Sequence, residues 1–307
     1  MKYIDDLGSL WAEKDSVITL GKFDGIHRGH RKLLDLVTRL AKERDLLPVV
    51  FTFKPSDHTI IPVSPSLMTS AEKKDMFASC GIALMAEIPL RQSLREMPPG
   101  DFVREILVKR LRAKAVVTGD DFRFGKDRAG DGEFLKKMQE DCGFSAFVED
   151  KVRDEQSGRE ISSTLIREAV KSGKMEDARR FLGYAYTISG EIVHGRHLGH
   201  TIGFPTINID PDPEKLLPPF GVYRSHVTVN GHSYDGISDL GVKPTVDGEN
   251  TGLETHLFDC SGDLYGYRAD VELHSFLRPE MKFASLDELK EQMKKDMECC
   301  RAGSQGE

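Results

Sequence analysis

Hydrophobic positions follow two different periods along this chain, and the change falls near residue 184. From Ser16 to Gly183, short apolar runs alternate with helical stripes. SVITLGKF, beginning at Ser16, reads as a buried strand running into a glycine turn. HRGHRKLLDLVTRLAKERD then sets Leu33, Leu34, Val37, Leu40 and Ala41 at helical spacing, and PVVFTF is the next strand. KAVVTG is a further β-rich run ending in glycine, after a helical stretch from Gly100 to Leu111. This alternation predicts a parallel sheet covered on both faces, with ligands at the carboxyl ends of its strands. HRGH and GDDFRFG both fall at such ends.

Beyond Tyr184 the period drops to two. GVYRSHVTVNGHSYDGI alternates about Asn230-Gly231, a strong hairpin signal. LETHLFDCSGDLYGYRADVELHSF is expected to repeat the form, turning at Ser261-Gly262. Antiparallel strands of this kind predict a small barrel or sandwich. In SLDELKEQMKKDM, Ser285 and Glu288 have capping-box spacing, and Leu286, Leu289 and Met293 supply an apolar stripe for a final helix. The expected domains are residues 1–183 and 184–307.

Composition narrows the partners. The chain has 307 residues, of which 39% are hydrophobic and 30% charged, as in a soluble globular protein. A net charge of −7 gives no electrostatic footprint for nucleic acid, and no apolar run approaches the ~20 residues of a membrane span. The N-terminal stretch is acidic and lacks the apolar core of a signal peptide. Cys80, Cys142, Cys260, Cys299 and Cys300 form no C-x-x-C pair, which points to a reducing cytoplasm rather than to disulfides or zinc.

Chemistry enters at the first predicted helix. It opens with His27, Arg28, His30 and Arg31, although a helix N-terminus is itself partly positive and favours acidic residues. Such a cluster is unfavourable unless an anion neutralises it. His27 and His30 share a face and lean toward the N-terminus, and Gly29 lets a bulky anion approach the backbone. A nucleotide phosphate fits, and a surface turn with incidental histidines is the alternative. ISSTLIREAVKSGK repeats the anomaly: Ser162, Ser163 and Thr164 can cap a helix, and capping alone leaves Arg167 unexplained. GDDFRFGK is not a P-loop, since five residues separate its glycines where that motif has four, and Asp127 follows Lys126.

The second half has its own candidate. HGRHLGHTIGFPTINI places histidines at 194, 197 and 200, but the intervening glycines favour a phosphate-covering loop over a helical metal cluster. Thr206 and Asn208 lie two apart, so an extended segment turns a hydroxyl and an amide oxygen the same way. Oxygen ligands suit magnesium, and an ordinary loop entering a strand is the alternative.

Together, GKFDGIHRGH, GDDFRFGKDRAGDG and ISSTLIR, in this order, resemble the adenylyltransferase half of the bacterial bifunctional riboflavin kinase/FMN adenylyltransferase (FAD synthetase) family. GFPTIN, PFGVY, SDLGVKPTV, LETHLFD, GDLYG and FLRPEMKF resemble its kinase half, so the likeness covers residues 16–298. It implies an α/β nucleotidyltransferase domain with a Rossmann-like parallel sheet, followed by an all-β Greek-key barrel with a terminal helix. It implies riboflavin, FMN and ATP as substrates and Mg²⁺ as the partner of ATP. At the adenylyl site it implies catalytic roles for His27 and His30 on the phosphates. Gly21, Phe23, Asp24, Gly29, Ser163, Thr164 and Arg167 would bind ATP there, with Asp121, Phe122, Arg123 and Phe124 on the flavin side. At the kinase site it implies Glu254 as the base, Gly195, His200 and Gly203 beside ATP, and Thr206 and Asn208 at Mg-ATP.

Besides Ile207, which stands where GFPTIN usually has alanine, three places depart from the family pattern. Lys54-Pro55-Ser56-Asp57 stands where Pro-His-Pro is usual, His58 being displaced; His200 replaces a basic residue; Asp239 replaces an asparagine. The first leaves open a kinase whose other half has weakened or only binds nucleotide or flavin. The second predicts phosphate affinity that weakens as pH rises.

Overall fold

A computed structural model describes residues 1–54, 65–194, 206–245, 248–260 and 262–303. The chain divides into two compact units, Met1–Ser163 and Thr164–Glu307.

The first unit is built on β1 (Lys2–Ile4), β2 (Ser16–Leu20), β3 (Leu47–Lys54), β4 (Leu84–Pro89), β5 (Ala113–Gly119) and β6 (Ser145–Glu149). They form one sheet in the order β1-β4-β3-β2-β5-β6, each neighbouring pair parallel. Parallel pairing demands crossovers. These include α1 (Arg28–Arg44), α2 (Ser70–Ser79), the short turns α3 (Gln92–Arg95) and α4 (Pro99–Asp101), and α5 (Gly132–Cys142). The helical stretch expected from Gly100 contains a π-helix, Phe102–Arg110. β2 is buried throughout because both faces are covered. Ile18 and Leu20 join one core with Phe51, Phe102 and Val116, while Val17 joins another with Leu34, Val37, Val50 and Val117. From β2 the chain steps through α1 to β3, whereas β5 lies on the other side of β2. The carboxyl ends of β2 and β5 therefore flank the switch point, where open α/β sheets bind ligands.

The second unit has helices α6 (Ser163–Lys171, whose first residue closes the first unit) and α7 (Met175–Leu182) ahead of β7 (Tyr186–Val193), β8 (Thr206–Ile209), β9 (Gly221–Val229), β10 (His232–Thr245), β11 (Gly248–Leu257) and β12 (Arg268–Arg278), then α8 (Leu286–Gly303). The strands close a barrel in the order β10-β11-β8-β7-β12-β9, every pair antiparallel. Asn230 (φ 49°) and Gly231 (φ 76°) make the β9–β10 turn, both left-handed as a tight hairpin requires. The second expected hairpin is not formed. β11 pairs with β10 and β8, and β12 with β7 and β9. Their connection is tied to β7 instead, with Ile192 N donating to Tyr267 O at 2.9 Å and Gly266 N to Ile192 O at 3.0 Å.

α8 also differs in detail. Ser285 Oγ accepts from Glu288 N at 3.2 Å, as its spacing predicts, but Leu286 is 60% exposed. The helix packs through Met297 and Cys300 against Val222, Ile237 and Phe258. The part-buried Arg278–Asp296 pair, at 2.8 Å, ties the helix to β12. No helix among the described residues is long and apolar enough to cross a membrane.

Candidate active sites

The loop after β2 is strained and deeply held. Phe23 (φ 48°), Gly25 (φ 87°) and Ile26 (φ 28°) all take left-handed backbone, which costs about 1–3 kcal/mol at each non-glycine residue. Burial of the Phe23 and Ile26 side chains offsets that cost. Asp24, also buried, accepts from Leu67 N at 2.8 Å, and its carbonyl accepts from Ser163 Oγ at 2.8 Å. The loop ends at His27, the N-cap of α1, whose Nδ1 accepts from His30 N at 3.4 Å. Gly21 and Gly29 leave room for rings: a Cβ on Gly21 would meet Phe23 at 3.0 Å, and one on Gly29 would meet His27 at 3.2 Å.

The two imidazoles stack, with centroids 3.7 Å apart and planes at 21°. Phe23 packs against His30 at 5.0 Å and against Phe77 of α2 at 5.5 Å. Burial lowers the His27 pKa to about 4, against the raising pull of Asp24 and Asp121. Burial first, then His27 and Lys73, keep His30 well below its ordinary value. Both rings thus favour the neutral form near pH 7, so the two histidines add no charge to the start of α1. They offer nitrogen donors and acceptors, and His30 Nδ1 is buried with no hydrogen-bond partner among the described residues. Arg28 lies 3.8 Å from Glu155, and Lys32 lies 2.9 Å from Glu149.

Across the switch point, the loop after β5 divides its candidate residues. Asp121 stands toward His27 and 3.4 Å from Lys151. Arg123 and Phe124 line a cavity of about 890 Å³ with Phe53, Leu90, Arg95 and Phe102. Phe122 stacks on Phe124 at 5.8 Å. A cavity of this size, lined by aromatic rings and by side chains of both charges, suits a flat, substituted heterocycle. Phe53, Leu90, Arg95 and Phe102 are not legible as a group in the sequence, because the ends of β3, β4 and α3 and the start of the π-helix bring them together. Thr164 and Arg167 lie on α6, within the second unit.

On the barrel, alternation decides which residues share a face. Leu240, Leu253 and Thr255 are buried inward neighbours, so Asp239, Lys243 and Glu254 project from the outer face of β10 and β11. Glu254 is registered against Asn208 and Asp239, and His256 against Thr206. Thr206 Oγ1 donates to Glu254 Oε1 at 2.5 Å, and Lys243 Nζ donates to Asn208 Oδ1 at 2.5 Å. Asp239 reaches the surface, yet lost hydration and then the Glu280 charge push its carboxyl up to about 6. Burial lowers the Lys243 pKa, while Glu254, Asp210 and Asp239 oppose that shift. Gly195, His200 and Gly203, together with Pro55, Ser56, Asp57 and His58, lie outside the described residues.

A nucleotide-type switch point joined in one chain to a carboxylate-bearing barrel defines a two-part nucleotide-using enzyme. Residues 10–165 match the FAD synthetase family model, and residues 182–303 match that of riboflavin kinase. The bifunctional riboflavin kinase/FMN adenylyltransferase of Escherichia coli K12 is 38% identical over 293 residues, covering 92% of this chain and 91% of its own. That of Pseudomonas fluorescens is 35% identical over 306 residues, covering 98% and 97%. The crystal structure of a protein called a macrolide-efflux protein, from Streptococcus pneumoniae, shares the fold at a TM-score of 0.85 and 30% identity, over 97% of this chain and 98% of its own. The chain belongs to the bifunctional riboflavin kinase/FMN adenylyltransferase family.

Proposed function

We propose that the barrel phosphorylates riboflavin with ATP and that the sheet unit joins the resulting FMN to AMP, giving FAD and pyrophosphate. In the kinase step, Glu254 takes the proton of the riboflavin 5′-hydroxyl, whose oxygen attacks the γ-phosphorus of ATP while the bond to the departing ADP breaks. The Thr206–Glu254 hydrogen bond is the observation that carries this assignment. It holds the carboxylate beside the adjacent strand's candidate metal ligand. Because the Thr206 hydroxyl donates to Glu254, its oxygen lone pairs are left for a cation, and Asn208 adds an amide oxygen on the same face. These hard oxygen donors fit Mg²⁺, which would neutralise phosphate charge when bound.

In the adenylyl step an FMN phosphate oxygen attacks the α-phosphorus of ATP, and pyrophosphate leaves. The nucleophile belongs to the substrate, so the protein's work is to position and to stabilise charge. His27 and His30 supply neutral imidazole contacts to the phosphates, with Gly29 and the α1 N-terminus behind them. Ser163 secures the Asp24 loop. Arg123, Phe124 and the cavity they line receive the flavin. The cysteines are all free thiols, which fits a reducing cytoplasm.

The test is direct. Full-length protein mixed with FMN and Mg-ATP releases one pyrophosphate per FAD formed. Protein that makes FMN from riboflavin yet yields no pyrophosphate from FMN would leave only the kinase.

A further inference from the structure

Lys243 and Asn208 sit on different strands, separated by β11. An extended strand pair keeps such residues apart unless the strand between them is bare. β11 is bare at the crossing point, Gly252, which is registered against another glycine, Gly241 of β10. The Lys243 stem runs over Gly252: a Cβ at Gly252 would stand 2.5 Å from Lys243 Cδ and 2.6 Å from Cε. Only by crossing a glycine does the ammonium reach Asn208 Oδ1 at 2.5 Å. On the same outer face, Glu280 fills the companion gap, its carboxylate lying where a Gly241 Cβ would stand.

The contact has a chemical consequence. An ammonium has three donors and no acceptor, so it selects the oxygen of the Asn208 amide and excludes the flipped orientation. A carbonyl oxygen has two lone pairs, so one is engaged by Lys243 and the other stays available. We propose that Lys243 is a positioning residue of the kinase step, which crosses Gly252 to hold the Asn208 amide with its oxygen toward the cation that accompanies ATP. This rests on the reading of Thr206 and Asn208 as that cation's ligands.

Partners one step behind a metal ligand are typically worth about 10–100-fold in metal affinity or activity. Lys243→Ala should raise the Mg²⁺ concentration for half-maximal riboflavin phosphorylation about 10–100-fold. The rate at saturating Mg²⁺ should fall by less. Lys243→Arg, which keeps the donor and its reach, should recover part of the loss. Gly252→Ala pushes the Lys243 stem aside and should act in the same direction. Because both act through one contact, Lys243→Ala/Gly252→Ala should be no worse than Lys243→Ala. A readout apart from turnover is calorimetric titration of the full chain with Mg-ADP, where one class of site weakens in the variants and the other does not. Unchanged Mg²⁺ dependence in Lys243→Ala would overturn the proposal, as would independent, additive losses in the double variant. Asn208→Ala separates the layers. If it alters Mg²⁺ dependence while Lys243→Ala does not, the positioning role alone is lost; if it changes nothing, the ligand assignment falls first.

Discussion

The His27 ring closes the first turn of α1 and lies face to face with His30, so its protonation disturbs helix and site together. Its pKa of about 4 lies below the ~6.5 of a histidine in an unfolded chain. Between those values the unfolded chain binds the extra proton, so the contribution to stability is complete above about pH 6.5 and declines as pH falls toward 4. His27→Asn replaces the capping ring nitrogen with an amide oxygen that does not titrate. Urea unfolding at pH 7 and pH 4.5 should show the wild type losing more stability on acidification than this variant. Equal losses would mean that His27 is not held neutral by the fold. The H-x-G-H spacing was legible in the sequence, and so was its place after a strand. The neutrality of the pair was not, because it comes from packing by Phe23, α2 and Lys73, which only the tertiary structure brings close. Lys243 was hidden for a related reason: its reach depends on strand register and on a glycine in another strand.

At the scale of elements, amphipathic period and turn chemistry carried most of the fold. α1 was readable from its apolar stripe, and the β9–β10 hairpin from Asn230-Gly231. The misread hairpin at Ser261-Gly262 followed from a turn dipeptide between two alternating runs, but alternation cannot tell which strands become neighbours when a barrel closes. Asp-Gly at 247–248 is a hairpin signal of the same kind, and β10 and β11 pair on either side of it. The terminal helix was expected from its apolar spacing, but its docking depends on a buried ion pair. Arg278 and Asp296 are 16% and 8% exposed, so removing Asp296 leaves a largely buried guanidinium without its carboxylate, with the Pro279 carbonyl as its one remaining hydrogen-bond partner among the described residues. Asp296→Ala should therefore destabilise the barrel by about 3 kcal/mol in denaturant unfolding. A loss below about 1 kcal/mol would show that α8 is held by its apolar contacts instead.

For the molecule as a whole, the pattern change near Tyr184 marks where strands begin, but α7, on the N-terminal side of that point, is packed against the barrel. Met175, Ala178, Phe181 and Leu182 of α7 are buried, and α7 contacts β12 and β7. A fragment of residues 164–307 should be more resistant to heat than one of residues 184–307, which would expose that apolar surface on the strands. Equal unfolding temperatures would place the working boundary at the strand start. The central claim, two reactions at two separate sites, is tested by a crossed pair of lesions in the full chain. Glu254→Gln keeps size and polarity but removes the base, so riboflavin phosphorylation should fall about 10²–10⁴-fold while supplied FMN still becomes FAD. His30→Ala should do the reverse. With each flavin supplied separately and products resolved by chromatography, that crossed pattern is the predicted result. Loss of both reactions in folded Glu254→Gln protein, or undiminished FAD synthesis in His30→Ala, would contradict it.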